Sequence, residues 1–214
     1  RFRFGMYEGR ALVGVAVFSH PVNDRVLTSV FPGAAKESVE LGRFVLVDRV
    51  PGNGETWFLA RAFDELRRKS LIGVLSFSDP VPRTTVDGRL VKPGHVGRIY
   101  MAQNGRFLGR GEGRILRLLP DGTVFSHRAE QKIRRREQGW HYAVEILVRH
   151  GAEELRADED PADWLARWLP RLTRRLRHPG NLKYAWPLDR AVARCLPRSM
   201  PYRKESDPMV VMPA

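Results

Sequence analysis

The sequence has a single cysteine, no long apolar run and no histidine–cysteine cluster. Cys195 alone excludes an internal disulfide and a zinc site built from cysteines, and we expect it to be a buried structural thiol. No apolar stretch approaches the ~18 residues that span a bilayer, so we expect no membrane partner. Histidine and cysteine never occur with the spacing of a zinc site, so we do not expect a bound metal.

Positive charge is abundant. The formal net charge is +13 at pH 7 and the sequence pI is about 10.8. Basic residues outnumber acidic ones on both sides of residue 128, so the charge is not confined to a detachable tail. Such a surface attracts polyanions, which makes nucleic acid the leading partner. A merely basic soluble protein and a membrane-surface binder are the alternatives that charge alone leaves open.

The length of 214 residues suits one core of roughly 150 residues with an appendage. We predict a core domain over residues 1–127. Residues 128–214 are expected to form a basic helical extension packed on that core, contributing to DNA binding.

Local patterns in the first third predict a βαβ unit. Alternating and β-branched residues predict strands over residues 11–18 and 43–48, with a short edge strand over 26–31. Apolar residues at helical spacing predict a helix over 58–69. The continuous apolar run 71–77 is typical of a buried central strand, which a right-handed crossover places beside the earlier strand. We therefore expect a mixed α/β sheet.

The remaining sequence predicts mainly loops, a hairpin and helices. Residues 82–98 are rich in Gly, Pro and basic side chains and predict a long functional loop. The other predicted elements are a helix over 96–108, a hairpin of strands 114–119 and 123–126, a helix over 140–148, and a helix that starts at Asp160 and ends or kinks at Pro170.

A glycine-containing loop connects the second predicted strand to the first helix. It comprises Arg49, Gly52, Asn53, Gly54, Glu55 and Thr56. Two glycines let backbone N–H groups point toward an anion at the start of a helix. The loop resembles the one with which GNAT-type acyltransferases hold the pyrophosphate of coenzyme A. An ordinary strand-to-helix turn is the alternative.

Ser78 and Asp79 follow the buried strand at its carboxyl end, where ligands of open α/β sheets collect. Asp79 could orient or deprotonate an amine, and Ser78 could donate a hydrogen bond to a carbonyl or oxyanion. His20, just beyond the first strand, could join Asp79 as a base or metal ligand. The alternatives are an aspartate that caps the next turn and a histidine in a surface turn.

Several segments in order resemble the Mom family of phage DNA-modification proteins. They are ELGR at 40–43, ETWFLARA at 55–62, SFSDPVPR at 76–83 and GHVGRIYMAQNGRFLG at 94–109, with a weaker echo, HPGNLKY, at 178–184. The resemblance implies a GNAT-like acyltransferase fold. It also implies a phage DNA-modification enzyme, located in the cytoplasm of the bacterial host, that converts adenine in DNA to N6-carbamoylmethyladenine and so protects the DNA from restriction.

The same resemblance assigns further roles. Tyr100 falls where GNAT enzymes commonly carry the tyrosine that protonates a leaving thiolate, and Asn104 follows it in the expected cofactor region; an aromatic core residue is the alternative for Tyr100. The proposed contacts to double-stranded DNA are Arg83, His95, Arg98, Arg134, Arg135, Arg136, Arg174, Arg175, Lys183 and Tyr184. Solvated helix faces and core aromatics are the alternatives for this group.

The donor and the class of reaction stay open at this stage. The acyl donor is either a coenzyme A thioester or a glycyl-tRNA-like carrier; the carrier would supply the nitrogen that acetyl-coenzyme A lacks and would make tRNA a possible partner. A conventional N-acetyltransferase would explain residues 49–54 but not the charge. A non-catalytic nucleic-acid-binding module would explain the charge but not Ser78 and Asp79.

Overall fold

The computed structural model describes residues 1–23 and 25–202, which divide into two compact units. Unit 1 contains residues 1–80, 95–111 and 181–202, and unit 2 contains residues 81–94 and 112–180. The chain therefore enters the second unit at Val81, and this division does not coincide with the boundary expected at residue 128.

In chain order the elements are β1 (Phe2–Glu8), β2 (Ala11–Ser19), α1 (Arg25–Thr28), β3 (Ser38–Leu46), α2 (Gly54–Arg68), β4 (Gly73–Ser78), β5 (Arg83–Thr84), β6 (Leu90–Lys92), α3 (Arg98–Ala102), β7 (Arg106–Arg110), β8 (Arg114–Leu118), β9 (Val124–Phe125), α4 (His127–Arg135), α5 (Trp140–Arg149), α6 (Pro161–Leu172), β10 (Arg174–His178), β11 (Leu182–Pro187) and α7 (Arg190–Cys195).

Unit 1 is built on a six-stranded mixed sheet. The strand order is β1-β2-β3-β4-β11-β7, and within the described residues only β3 and β4 of this sheet pair in parallel. Helix α2 connects these two strands and buries its apolar stripe, which includes Phe58, Leu59 and Phe63, against the sheet. The predicted βαβ unit and mixed α/β fold class are confirmed.

Two predicted elements of unit 1 are wrong. Residues 26–31 are not a strand, because the Asn23 side chain accepts a hydrogen bond from the Arg25 amide at 3.1 Å and starts the short helix α1. The helix predicted over 96–108 ends early. Asn104 adopts a left-handed backbone (φ 59°) and the chain then enters β7.

Strand β11 lies in the part of the chain that was expected to form a basic helical extension. It lies between β4 and β7 inside the main sheet, paired antiparallel with both. Leu182, Tyr184 and Ala185 are fully buried, as in a strand covered on both faces. The extension thus supplies a central part of unit 1, and the Cys195 thiol near its end is exposed rather than buried.

Unit 2 combines small sheets with helices. Strands β10, β8 and β9 form one sheet, and β5 and β6 form another within the predicted loop 82–98. Helices α4, α5 and α6 share a core around the fully buried Trp164. The predicted hairpin is confirmed, with Gly122 at φ 82°. The helix start at Asp160 is also confirmed, since its side chain accepts from the Ala162 amide at 2.6 Å.

Within the described residues, no helix combines the length and apolar character needed to cross a bilayer. The same part of the chain contains no group of three or more His, Cys, Asp or Glu side chains arranged to hold a metal ion.

Candidate functional site

The sheet of unit 1 splits where β3 and β4 stop pairing. Their last paired residues are Leu41 and Ser76, after which β3 continues to Leu46 paired only with β2. The β2–β3 register skips Gly42, so a bulge bends β3 at this point. The Ser76 hydroxyl donates to the Leu41 carbonyl at 3.0 Å. The carboxyl ends of two parallel strands thus border an opening in the sheet, the usual place for a ligand in such folds.

Ser78 is the last residue of β4 and is fully buried. Its hydroxyl has no hydrogen-bond partner within the described residues. Gly97 (φ 79°) packs directly against it, since a Cβ there would lie 3.2 Å from Ser78 Oγ and 2.8 Å from the Tyr184 ring. Buried hydroxyls are normally paired, so an unpaired one at a strand end marks a position where a ligand group can bind.

Asp79 follows Ser78 and is only 8% exposed. Its carbonyl accepts a hydrogen bond from the His95 amide at 2.9 Å. The His95 ring is exposed and lies 6.4 Å, centroid to centroid, from the ring of Tyr100. The structure therefore brings Ser78, Asp79, His95 and Tyr100 together at the carboxyl end of β4.

Tyr100 lies on α3 within an aromatic cluster. Its ring centroid is 5.4 Å from those of Tyr184 and Trp186. Burial raises the pKa of the Tyr100 hydroxyl, and a hydrogen bond with the Ser76 side chain opposes this rise. The hydroxyl thus stays protonated at neutral pH, the state that a general acid needs. The ring also belongs to the hydrophobic core, as the alternative interpretation of Tyr100 expects, and its role as a general acid stays a prediction.

Asn181 is a candidate that residue-by-residue reasoning missed. It immediately precedes β11, whose first residue, Leu182, is the register partner of Ser78. The Asn181 backbone carbonyl accepts from the Gly111 amide at 2.8 Å, but its buried side-chain oxygen has no partner in the described part of the chain. Two unpaired buried polar atoms therefore lie at the same edge of the sheet. The HPGNLKY segment was the signal that could have found it.

The loop before α2 leaves backbone donors at the helix start. No backbone carbonyl of the described residues accepts from the amides of Glu55 or Thr56, whereas the Gly54 amide donates to the Pro51 carbonyl at 2.7 Å. A Cβ on Gly52 would meet no atom within 4 Å, but one on Gly54 would lie 2.3 Å from Val50 Cγ1. Gly52 thus leaves room for an anion, while Gly54 is required by packing.

The side chains of this loop contribute less to an anion site. Arg49 pairs with Glu8 at 3.3 Å on the exposed surface, and Glu55 brings a second carboxylate to the first helical turn. The Asn53 side chain makes no capping bond, and the Thr56 hydroxyl donates to the Asn53 carbonyl at 3.0 Å. The residues fit an anion held by backbone amides and the helix dipole more than by side-chain charge.

Asn104 is exposed and ends helix α3. Its left-handed backbone and the bond from its amide to the Met101 carbonyl at 2.9 Å account for an asparagine at this position. The geometry gives Asn104 a structural role at the end of the helix, and its role in cofactor binding stays a prediction.

His20 does not join Asp79. It follows β2, whose end pairs with the beginning of β3 through Ser19 and Glu40. Because β3 and β4 are parallel, His20 lies at the edge where these strands begin, while Asp79 lies where β4 ends. His20 instead lines a shallow depression with Leu27, Thr28, Ala35 and Lys36. The prediction of a shared catalytic role is wrong because strand direction separates the two residues.

The predicted DNA contacts fall into different environments. In unit 1, Arg98 is exposed and Lys183 is half-buried. Tyr184 is fully buried and its hydroxyl donates to the Val96 carbonyl. Direct contact of Tyr184 with DNA is therefore a wrong prediction, because the ring is part of the core.

The arginines of unit 2 also have structural partners. Arg134 pairs with Glu130 at 3.0 Å and Arg135 with Glu137 at 3.9 Å. Arg136 donates to the carbonyls of Ala157 and Glu159, and Arg174 donates to the Thr84 carbonyl at 2.6 Å. Arg83 and Arg175 line a groove within this unit.

Comparisons with known proteins place these features in a family. A Bacillus subtilis acetyltransferase solved in complex with CoA is similar over 86% of this chain and 75% of its own, at 7% identity and a TM-score of 0.37. An N-acetyltransferase from Staphylococcus aureus Mu50 is similar over 87% of this chain and 67% of its own, at 11% identity and a TM-score of 0.37. Neither similarity decides fold or function. No curated protein matches. The model of the Mom protein family matches residues 1–159, and the chain therefore belongs to the Mom protein family.

Proposed function

We propose that this protein is a transferase that converts adenine in DNA to N6-carbamoylmethyladenine and thereby protects phage DNA from restriction. Membership in the Mom family carries this proposal, because the resemblance to that family implies this modification. The split sheet of unit 1, with polar groups at the end of β4, supplies a suitable place for the reaction.

Adenine N6 is a poor nucleophile, because its lone pair is delocalised into the ring. A site that acylates it must supply orientation and stabilise an oxyanion more than simple basicity. In this proposal Asp79 orients the N6 amine and accepts its proton. The unpaired Ser78 hydroxyl donates to the carbonyl oxygen as negative charge develops there.

The adenine must leave the helix before it can react, since N6 is paired in duplex DNA. A flipped base needs partners for its polar edge. Asn181 supplies an amide at the same sheet edge as Ser78, with its buried oxygen unpaired in the described residues. Asparagine pairs with adenine through N6 and N7, so we assign Asn181 to recognition of the base.

The donor is proposed to bind by an anionic group at the start of α2. The open space beside Gly52 and the amides of Glu55 and Thr56 fit such a group. When bound, the donor supplies the activated carbonyl. A coenzyme A thioester and a glycyl-tRNA-like carrier both fit this description. A glycyl group has the atoms of the product: its transfer to N6 releases the carrier and gives N6-glycyladenine, which must then rearrange to the isomeric N6-carbamoylmethyladenine, whereas an acetyl thioester lacks the nitrogen. The Tyr100 hydroxyl carries the proton that the departing group takes up.

Duplex DNA is the proposed macromolecular partner. The net charge of +13 favours binding to phosphates. The exposed residues His95 and Arg98 lie beside Asp79 and Tyr100 and are proposed to contact the DNA there. The other proposed contacts are Arg83, Arg134, Arg135, Arg136, Arg174, Arg175 and Lys183.

Mass spectrometry of nucleosides from cells that express the protein tests the function. We expect an adenosine adduct with the mass of a carbamoylmethyl group, and none from cells with Asp79→Asn at equal protein level. An acetyl group on protein or small amines instead would indicate a conventional N-acetyltransferase. A folded protein that binds DNA without any new adduct would indicate a non-catalytic binding module, and either result would overturn the proposal.

A further inference from the structure

Unit 2 contains a groove of about 1100 Å³ that the proposed chemistry does not use. Four arginines line it: Arg83, Arg114, Arg117 and Arg175. Among the residues that the structure describes, Glu130 is the one carboxylate on its wall; it lies 3.7 Å from Arg117 and also pairs with Arg134 at 3.0 Å. In residues 1–23 and 25–202 no carboxylate pairs with Arg114 or Arg175. Positive charge therefore exceeds negative charge in this groove.

The register of β8 and β10 concentrates that charge. Arg117 and Arg175 are direct cross-strand partners. Side chains at such positions project from the same face with Cβ atoms ~5 Å apart, and like charges there are destabilising. An anion between the two guanidinium groups would relieve this repulsion. The pair is easier to explain as part of a binding site than as a contribution to stability.

The start of helix α4 adds to the same potential. Ser126 and His127 line the groove, and the Ser126 hydroxyl caps the helix by accepting from the Ala129 amide at 3.1 Å. The first turn of a helix carries partial positive charge. It reinforces the arginines rather than forming a site by itself.

The size and lining of the groove distinguish between a small anion and a polynucleotide as its ligand. Ile115, on the same strand as Arg117, is 46% exposed, and Leu116, Phe125 and Pro170 complete an apolar floor. A small inorganic anion needs neither this volume nor this floor. A polynucleotide backbone alternates anionic phosphates with apolar sugar surface, and so matches both the arginines and the floor.

We propose that this groove binds the phosphodiester backbone of the DNA to be modified. The choice of DNA as the polynucleotide rests on the proposed function. Arg83 and Arg175, which line the groove, are also among the DNA contacts predicted from the sequence. Arg114 and Arg117 thereby acquire a role that the sequence did not indicate.

The test compares two full-length double variants that lose equal charge. Arg117→Gln/Arg175→Gln alters the groove, whereas Arg149→Gln/Arg156→Gln removes two exposed arginines of unit 2 that do not line it. Binding to a short DNA duplex is measured from about 50 to 200 mM salt. We expect at least a tenfold loss of affinity for the groove variant, a log–log salt slope smaller by about 2, and little change for the control.

Further measurements keep the result interpretable. Arg117→Lys/Arg175→Lys retains charge and should bind DNA nearly as the unaltered protein does, with thermal unfolding confirming that all variants are folded. Equal DNA binding by the groove variant and the control would overturn the inference. Loss of binding to tRNA with unchanged binding to duplex DNA would overturn it as well, in favour of an RNA carrier.

Failure of this inference can be separated from failure of the proposed function. If the unaltered protein makes the adenosine adduct and the groove variant binds and modifies DNA normally, only the groove proposal fails. If no adduct forms anywhere but the groove variant alone loses DNA affinity, the groove proposal stands and the proposed reaction fails.

Discussion

The Ser76 hydroxyl donates a 3.0 Å hydrogen bond to the Leu41 carbonyl at the last position where β3 and β4 are paired. The same side chain lowers the pKa of the Tyr100 hydroxyl, although burial raises that pKa more strongly. One buried serine therefore satisfies the carbonyl at the split and also acts on the proposed general acid. This arrangement links the geometry of the sheet to the protonation state of Tyr100.

Tyr100→Phe should separate the chemical role of this residue from its packing role. The ring remains in its cluster with Trp186, so the loss of one hydrogen bond should cost about 1 kcal/mol of stability. Adduct formation should fall about 100-fold if the hydroxyl supplies a proton. Because burial raises the Tyr100 pKa, this residue should cause no loss of activity below about pH 10. Unchanged activity would show that Tyr100 serves only as an aromatic residue of the core.

Asp79→Asn removes the charge of this buried carboxylate and keeps its shape. If Asp79 orients or deprotonates the N6 amine, activity should fall by roughly 100-fold or more while melting temperature and DNA affinity barely change. If the carboxylate instead caps a turn, stability should drop by about 1 kcal/mol and activity should survive. Nucleoside analysis and thermal unfolding of this one variant distinguish the two roles.

Ser78→Ala should reduce activity without reducing stability. The hydroxyl is buried and unpaired within the described residues, so its removal relieves a desolvation cost instead of breaking a bond. We expect an equal or higher melting temperature and a fall in kcat of about 100-fold, the scale of a lost oxyanion donor. A drop in melting temperature with full activity would show that the hydroxyl is structural.

Asn181→Ala should impair recognition of the base and spare binding of the backbone. Losing a bidentate contact to adenine costs about 1–3 kcal/mol, so adduct formation should fall about 10- to 100-fold. Affinity for duplex DNA should change little, since phosphate contacts dominate it. Normal modification by a folded Asn181→Ala protein would remove Asn181 from the site.

Gly52→Val is the informative change in the loop before α2. A side chain there meets open space, so the fold should tolerate it while the donor's anionic group is excluded. Gly54→Val is not a clean test, because its Cβ would collide with Val50 and destabilise the protein. We expect Gly52→Val to raise KM for the donor at unchanged DNA affinity. An unaltered KM would mean that the loop is only a turn.

Local signals made part of the molecule predictable. The β3–α2–β4 unit follows from apolar periodicity within short windows, and the start of α6 follows from Asp160 before Pro161. Ser78 and Asp79 could be placed because a strand end is visible in the sequence.

The other features depend on pairing between strands that are distant in the sequence, so they could not be predicted from it. The separation of His20 from Asp79 depends on strand direction, and the buried position of Tyr184 depends on residues about 110 positions earlier in β4. Asn181 and the Arg117–Arg175 pair gain meaning only once distant strands are aligned. No short window of sequence contains that information.

The placement of β11 has a consequence for how this protein is made. During synthesis, the ribosome releases β4 and β7 long before residues 182–187, so both strands have an unpaired edge while residues 112–180 of unit 2 emerge. Exposed edges of apolar strands invite pairing with other chains. A nascent chain stalled before residue 182 should therefore aggregate or recruit chaperones, because unit 1 is completed only after unit 2 has been synthesised.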